Sequence, residues 1–368
     1  MKLNKFLKSI TFISIIFVIF LIPVKVLNMN IPNDLYDEIY FQDEIKKADL
    51  QQNLFNKEDI DDINIVINAI GDCALGYDES FGKYGTFDEE LIKHNNDYGH
   101  FFKNVKHIFE KGDLTIANLE TTFTNSSYKA DKEYAFKGDP SYSKILKEGN
   151  IDAVNLANNH TFDYLRQGFD DTIKALDREK IGYFGYGYKY MKDAKGIKIG
   201  VLGYTGFDNS AWTKKQIKKD INELREKVDI LIISFHWGEE NSYNPNKIQK
   251  DLGHFVIDEG ADLVIGHHPH VLQGIEEYKG KVIAYSLGNF SFGGNRNPKD
   301  KDSIIFQQIF TFNSKRQLIK INTNIIPVSI SSEKNRNDYT PVLLDGLERE
   351  RVLNKINELS KKLINTID

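Results

Sequence analysis

Ala261-Asp262-Leu263-Val264-Ile265-Gly266-His267-His268-Pro269-His270 reads as a buried strand that ends in three crowded imidazoles. The run from Ala261 to Ile265 is apolar except for Asp262, as expected of a strand covered on both faces. Gly266 lets the backbone turn, and Pro269 stiffens the loop that aims the rings. Neutral imidazole is the commonest metal ligand, so histidines at a strand exit point to a metal site. A structural or surface histidine cluster is the competing reading. Carboxylates and further histidines at matching places elsewhere in the chain would separate the two.

Such places recur. The β-branched stretch 63–70 predicts a strand, closed by Gly71-Asp72. Phe102, Val105 and Phe109 stand at helical spacing within 98–111. The next strand, 114–119, ends at Glu120, and the strand at 152–157 ends at Asn158-Asn159-His160. Asp139-Pro140 opens a short helix that Gly149 closes. A helix after His160 is expected to place Phe162, Leu165, Phe169, Ile173 and Leu176 on one face. Strands follow at 197–204 and 229–235, the latter ending at His236, with helices carrying Ile217, Ile221 and Leu224 and then Ile248, Leu252 and Phe255. A strand at 282–286 leads to Leu287-Gly288-Asn289-Phe290. Two late strands, near 304–312 and 318–330, have no helix between them and suggest a hairpin belonging to a second sheet.

Strands alternating with helices predict an α/β fold with a largely parallel or mixed sheet. In such sheets ligands bind beyond the carboxyl ends of the strands. Five exits here deliver Asp72, Glu120, Asn159-His160, His236 and His267. Carboxylate, amide and imidazole together suit Zn, Mn or Fe, in a hydrolase site that uses one ion or a pair.

The chain has 368 residues, a net charge of -5 and one cysteine, Cys73. The charge gives no electrostatic case for nucleic acid, and a single cysteine excludes an internal disulfide or a multi-cysteine zinc site. Lys2, Lys5 and Lys8 precede an apolar run over 10–24, so residues 1–28 read as an uncleaved signal anchor, with a cleaved signal peptide as the alternative. The rest then lies outside the cell membrane on a single-pass anchor. Residues 29–62 read as a juxtamembrane linker, 63–330 as the α/β domain, and 331–368 as a polar patch leading to an amphipathic helix with Leu353, Ile356 and Leu363.

Taken in order, Gly71-Asp72, Asn118-Leu119-Glu120, Asn158-Asn159-His160 with Asp163, His236-Trp237-Gly238, Gly266 to His270, and Ser286 to Phe290 resemble the poly-gamma-glutamate capsule biosynthesis (CapA-type) family. That family is similar to the calcineurin-like metallophosphoesterases. The resemblance spans about 63–330 and implies a four-layer α-β-β-α sandwich. It also implies a role at the cell surface in making, exporting or anchoring an anionic polymer, alongside other capsule synthase or export subunits. By resemblance Asp72, Glu120, Asn159, His236, His267 and His270 hold metal, His160 stabilises charge developing on the substrate, and Asp163 orients His160. His268 is read as a bystander. Lys137, Trp237 and Asn289 are candidates for contact with substrate, each against a bland alternative: a solvated lysine, a core aromatic, and an amide serving its own loop. Two departures stand out. Phosphoesterases carry a histidine where this chain has Ala74, and Glu120 replaces their bridging aspartate. The resemblance therefore implies one tight ion, or one tight and one weak. A non-catalytic polymer-binding accessory and a generic extracellular metallophosphatase are the alternatives. The remaining histidines, His94, His100, His107 and His254, read as packing or surface residues.

Overall fold

The computed structural model of the chain describes residues 62–364. The expected anchor, and the linker up to residue 61, lie outside the described residues. Among the described residues no helix is long and apolar enough to cross a membrane.

The architecture is α/β with mixed sheets. The site is built on strands β1 (Ile63–Ala74), β2 (Leu114–Leu119), β3 (Ala153–Asn155), β4 (Ile197–Gly206), β5 (Ile230–Trp237), β6 (Leu263–His267), β7 (Lys281–Ala284), β8 (Asn289–Phe292), β9 (Asp302–Phe312) and β10 (Leu318–Ser329). One sheet has β1 between β2 and β9. It continues through β3 to Gly182–Phe184 on one side, and through β10 to Val342–Leu343 on the other. β8 also pairs with β1, in parallel. The second sheet runs β7, β6, β5, β4 in parallel, with antiparallel edges at Ile275–Tyr278 and Tyr190–Ala194.

Successive side chains point to opposite faces, so a central strand covered on both sides, such as β5, is apolar along most of its length. In β5, Ile230 and Ile232 enter a cluster shared with residues of the other sheet, Ile65, Ile67 and Ile116 among them. Leu231, Ile233 and Phe235 point the other way and pack with helices α2 (Ala211–Arg225) and α3 (Lys247–Asp258). The outer face of the first sheet meets helix α1 (Leu165–Glu179) and the short helices Phe87–Lys93 and Ser143–Glu148. The central strands of each sheet are thus covered on both faces, whereas the first half of β10 is largely exposed. Helix α4 (Gly346–Ile364) buries Val352 and Ile356 in the cluster that the two sheets share.

Several expectations change. The 98–111 helix is a 3-10 turn, Tyr98–Phe102, followed by one helical turn, Lys106–Phe109; its three marker residues are buried all the same. α1 starts at Leu165, which is 48% exposed with a positive φ, and Phe162 lies before it. The buried face is carried by Phe169, Thr172, Ala175 and Leu176. The late hairpin, β9 and β10, forms as expected but extends the first sheet beside β1. Its long-range pairing with β1 has no signature in the local pattern.

Candidate metal centre

Register brings the site together. Asp72 on β1 lies beside Asn118 of β2 and Asn289 of β8, and Asn118 lies beside Asn155 of β3. In the second sheet His236 lies beside His267. These strands come close enough that side chains larger than hydrogen are excluded at two motif positions. A Cβ on Gly71 would stand 2.0 Å from the Gly288 carbonyl oxygen, and one on Gly266 would stand 2.0 Å from that of Tyr285. His268 and His270 flank Pro269 at φ of 96° and 58°, an uncommon conformation for side chains with a Cβ that clusters at functional sites.

Asp72 is fully buried. It accepts from Asn118 Nδ2 at 2.8 Å and from the His268 backbone N–H at 3.1 Å. His267 Nδ1 lies 3.5 Å from its Oδ1, and His270 Nδ1 lies 3.4 Å from its Oδ2. Burial alone would raise this carboxyl, but the two histidines hold it well below the usual carboxylate range. Glu120 behaves in the opposite way. Burial first, then the charge of Asp72, push it well above its usual range. Both its oxygens are buried without a hydrogen-bond partner.

Three imidazole nitrogens converge on Glu120 Oε1: Nε2 of His236 at 3.6 Å, of His270 at 3.8 Å and of His160 at 3.9 Å. These separations are too long for hydrogen bonds. Atoms about 2.0–2.2 Å from one ion stand roughly 3–4 Å from each other, so the His236 and His270 separations suit ligands that each share a cation with Glu120. Among the described residues, Asp72, Glu120 and His236 form one group able to hold a metal, and Glu120, His268 and His270 form another, while His160 belongs to neither group. Glu120 belongs to both. His268, read from the sequence as a bystander, has its Nδ1 buried without a partner and lies close enough to Glu120 and His270 to share a cation with them. A third group, Glu90, His94 and His100, lies elsewhere, and Arg336 already takes both Glu90 oxygens.

Electrostatics follow from burial. His236 is driven well below the ordinary histidine range by desolvation, and His268 is driven down to about 4 for the same reason. His270 is desolvated too, but Glu120 and Asp72 raise it to about 9. Its Nδ1 donates to Asn289 Oδ1 at 2.9 Å. His236 Nε2 donates to Asn159 Oδ1 at 2.8 Å.

His160 stands beside this cluster. Its Nδ1 donates to Asp163 Oδ2 at 2.6 Å, and its ring stacks on Phe136 with centroids 4.2 Å apart. Burial outweighs Asp163 and lowers its pKa. Asp163 also accepts from Lys132 Nζ at 2.7 Å and from the Phe136 N–H at 2.6 Å. The carboxylate is thereby locked against the ring.

The substrate candidates divide. Asn289 lines a cavity of about 740 Å³ together with His160 and His270. Lys137 turns away to Glu79 at 2.9 Å and to the Ser126 carbonyl. Trp237 is fully buried, stacked on Phe235 at 4.5 Å, with Nε1 donating to the Tyr285 carbonyl. Two residues of the site carry no role in the sequence reading: Asn118, which links Asp72 to His236, and Lys132. A polar residue near the carboxyl end of a mostly apolar strand was the available signal for Asn118.

The model of the bacterial capsule synthesis protein PGA_cap family matches residues 66–294. The chain belongs to this family. The PGA biosynthesis protein CapA of Bacillus subtilis (strain 168) is 32% identical over 283 residues, 71% of each chain. The capsule biosynthesis protein CapA of Bacillus anthracis is 31% identical over 307 residues, 74% of this chain and 71% of that one. Among solved structures, a 5'-nucleotidase from Candida albicans SC5314 covers 81% of this chain and 57% of its own at 13% identity, with a TM-score of 0.40. Every residue of the candidate centre falls within the segment matched by the PGA_cap family. The family is involved in poly-gamma-glutamate synthesis, as the capsule proteins above are named.

Proposed function

We propose that the chain is an extracellular, membrane-anchored component of poly-gamma-glutamate biosynthesis or export, working through a metal-dependent, hydrolase-like centre. In this reading residues 1–28 anchor it, 29–62 form a linker, 63–330 form a four-layer α-β-β-α domain, and 331–368 close it with a helix. It works beside other capsule synthase or export subunits on an anionic polymer. The observation that carries the metal centre is Glu120, a buried carboxylate without hydrogen bonds whose Oε1 has three imidazole nitrogens 3.6 to 3.9 Å away. A buried polar group left in this way calls for a missing partner, and a cation supplies it.

Asp72, Glu120, Asn159, His236, His267 and His270 would hold one or two ions of Mn, Zn or Fe, with His268 at hand. Such an ion supplies positive charge to a developing oxyanion and acidifies water. The chain's own part is proton management. Asp163 fixes a proton on His160 Nδ1, so that an unprotonated Nε2 faces the cavity, where it would take a proton from an attacking water and then, as the imidazolium, stabilise a leaving group's charge and return the proton to it. Phe136 keeps water off one face of that ring.

The test is the metal content of the full-length chain beside His236→Ala and His267→Ala. Stoichiometric metal in the parent, lost in the variants with the fold retained, supports the reading. A parent without metal after supplementation overturns it. The second reading is then favoured, a non-catalytic polymer-binding accessory. It draws on Ala74, fully buried where phosphoesterases carry a histidine.

A further inference from the structure

The cavity that opens on the metal cluster has a second, different wall. One side is His160, His270 and Asn289. The other is the loop 293–300, which presents Arg296 and Lys299. At about 740 Å³ the cavity has the scale of sites that enclose a multi-group ligand, beyond the needs of a lone phosphate or a single amino acid.

The two cations are exposed and available. Among the described residues neither makes an ion pair. Arg296 donates one Nη1 hydrogen bond to the Tyr84 carbonyl at 2.9 Å and sits 5.5 Å over the Phe81 ring, so its direction is set while other donors stay free. Asp300, the neighbouring carboxylate, is already matched by Lys355 at 2.7 Å and by the Tyr243 hydroxyl at 2.9 Å. Glu240 also lines the cavity, and its charge is felt by His270 and Glu120, which places it toward the metal end. The cavity is thus acidic near the metal cluster and basic along the loop.

The loop is braced. Asn337 donates its backbone N–H to the Arg296 carbonyl at 2.8 Å and its Nδ2 to the Asn295 carbonyl at 2.9 Å. Lys301 Nζ donates to the carbonyls of Glu333, Lys334 and Arg336 at 3.0, 3.0 and 2.7 Å. The polar patch at 331–339, for which the sequence suggests no role, is the buttress. Arg296 and Lys299 lie just past the segment 66–294 that the family model matches.

We propose that Arg296 and Lys299 are specificity residues that read carboxylates repeated along an extended chain whose near end lies at the metal cluster. The inference rests on the polymer reading of the site given above and names the residues that select for length and charge. A single small anion reaches only the metal end and gains nothing from the loop. A chain of several carboxylates meets both cations, each of which strengthens binding by roughly tenfold when it finds a charged partner.

The experiment measures calorimetric binding of gamma-linked glutamate oligomers of one, two, four and eight units to the full-length chain, at low and moderate salt. The comparison proteins are Arg296→Gln/Lys299→Gln, Lys299→Glu alone at its exposed position, and His236→Ala. The expected result is affinity that rises at least tenfold from one unit to four, with a rise that salt weakens. The double variant abolishes the rise and Lys299→Glu reduces it, while both keep the parent's metal content and its affinity for the single unit. Metal content in His236→Ala tests the metal reading on its own, so the two readings can fail separately. Equal affinity at all lengths, or a rise that survives in the double variant, overturns the proposal.

Discussion

Asn118 Nδ2 lies 2.8 Å from Asp72 Oδ1 and joins that carboxylate to His236, whose Nδ1 is 3.2 Å from the same nitrogen. One amide therefore ties a residue of the first sheet to a residue of the second. Its own oxygen is held by Asn155 and Asn158, at 3.1 and 3.3 Å. Asn118→Ala should leave both side chains free to turn. We expect metal affinity to fall about 10- to 100-fold, as for other groups that orient ligands, with a loss of about 1–3 kcal/mol in stability from the buried partners left unpaired. Undiminished affinity in titrations with Mn or Zn would show that the amide is dispensable.

Glu120→Gln tests the orphaned carboxylate. The amide keeps the shape and removes the charge that burial and Asp72 oppose. Without metal the variant should equal or exceed the parent in stability, by about 1 kcal/mol. With saturating metal the parent should gain stability by mass action and the variant should not. Urea unfolding with chelator and with metal reads both. An equal gain in the variant would remove Glu120 from the centre.

His270 gives a proton count. Its pKa stands at about 9 in the metal-free protein, against about 6.5 for an unperturbed histidine. The raised value stabilises the metal-free fold fully below about pH 6.5 and ceases to do so as pH rises through 9. A metal ligand must be neutral, so binding between these values releases a proton. Calorimetry at about pH 7.5 in buffers of different ionisation enthalpy should show at least one proton released per ion, from His270 and from the raised Glu120 carboxyl. Heats independent of buffer would contradict the assignment.

Asp302 secures helix α4. It accepts from Arg351 at 2.8 and 2.7 Å and from Lys355 at 2.9 Å. Burial raises its carboxyl, but these partners prevail and its pKa is lowered. The resulting stability is present above the unfolded value of about 3.9 and is lost as pH falls through the folded one. Arg351 is about half exposed, so the pair is screened and Asp302→Asn should cost only about 1–2 kcal/mol at neutral pH. Urea midpoints of parent and variant should converge as pH falls below the ordinary carboxylate range. A constant gap would rule out the charge as the cause.

Trp237 distinguishes core from groove. Stacked on Phe235 and bonded to the Tyr285 carbonyl, it should cost about 3–5 kcal/mol when cut to alanine and about 1 kcal/mol as phenylalanine. The phenylalanine variant should keep its metal and its polymer affinity. Weaker polymer binding at full stability would restore Trp237 as a substrate contact.

The α/β class and most of the acid, amide and imidazole residues of the candidate centre are legible in the linear chain. Both are local signals. An apolar run of strand length declares a strand covered on both faces, and a polar residue at its end declares itself by standing out. The family resemblance rests on the same motifs. Which residues meet is settled by the folded chain instead. The register that sets Asp72 beside Asn118, and His236 beside His267, joins positions 46 and 31 residues apart through backbone pairing that no local pattern encodes. The exposure of Phe162 and Leu165, the burial of Trp237, the closeness of His268 to Glu120 and His270 and the bracing of Arg296 by Asn337 follow from packing between distant segments. Their energies exist only once the chain has closed on itself.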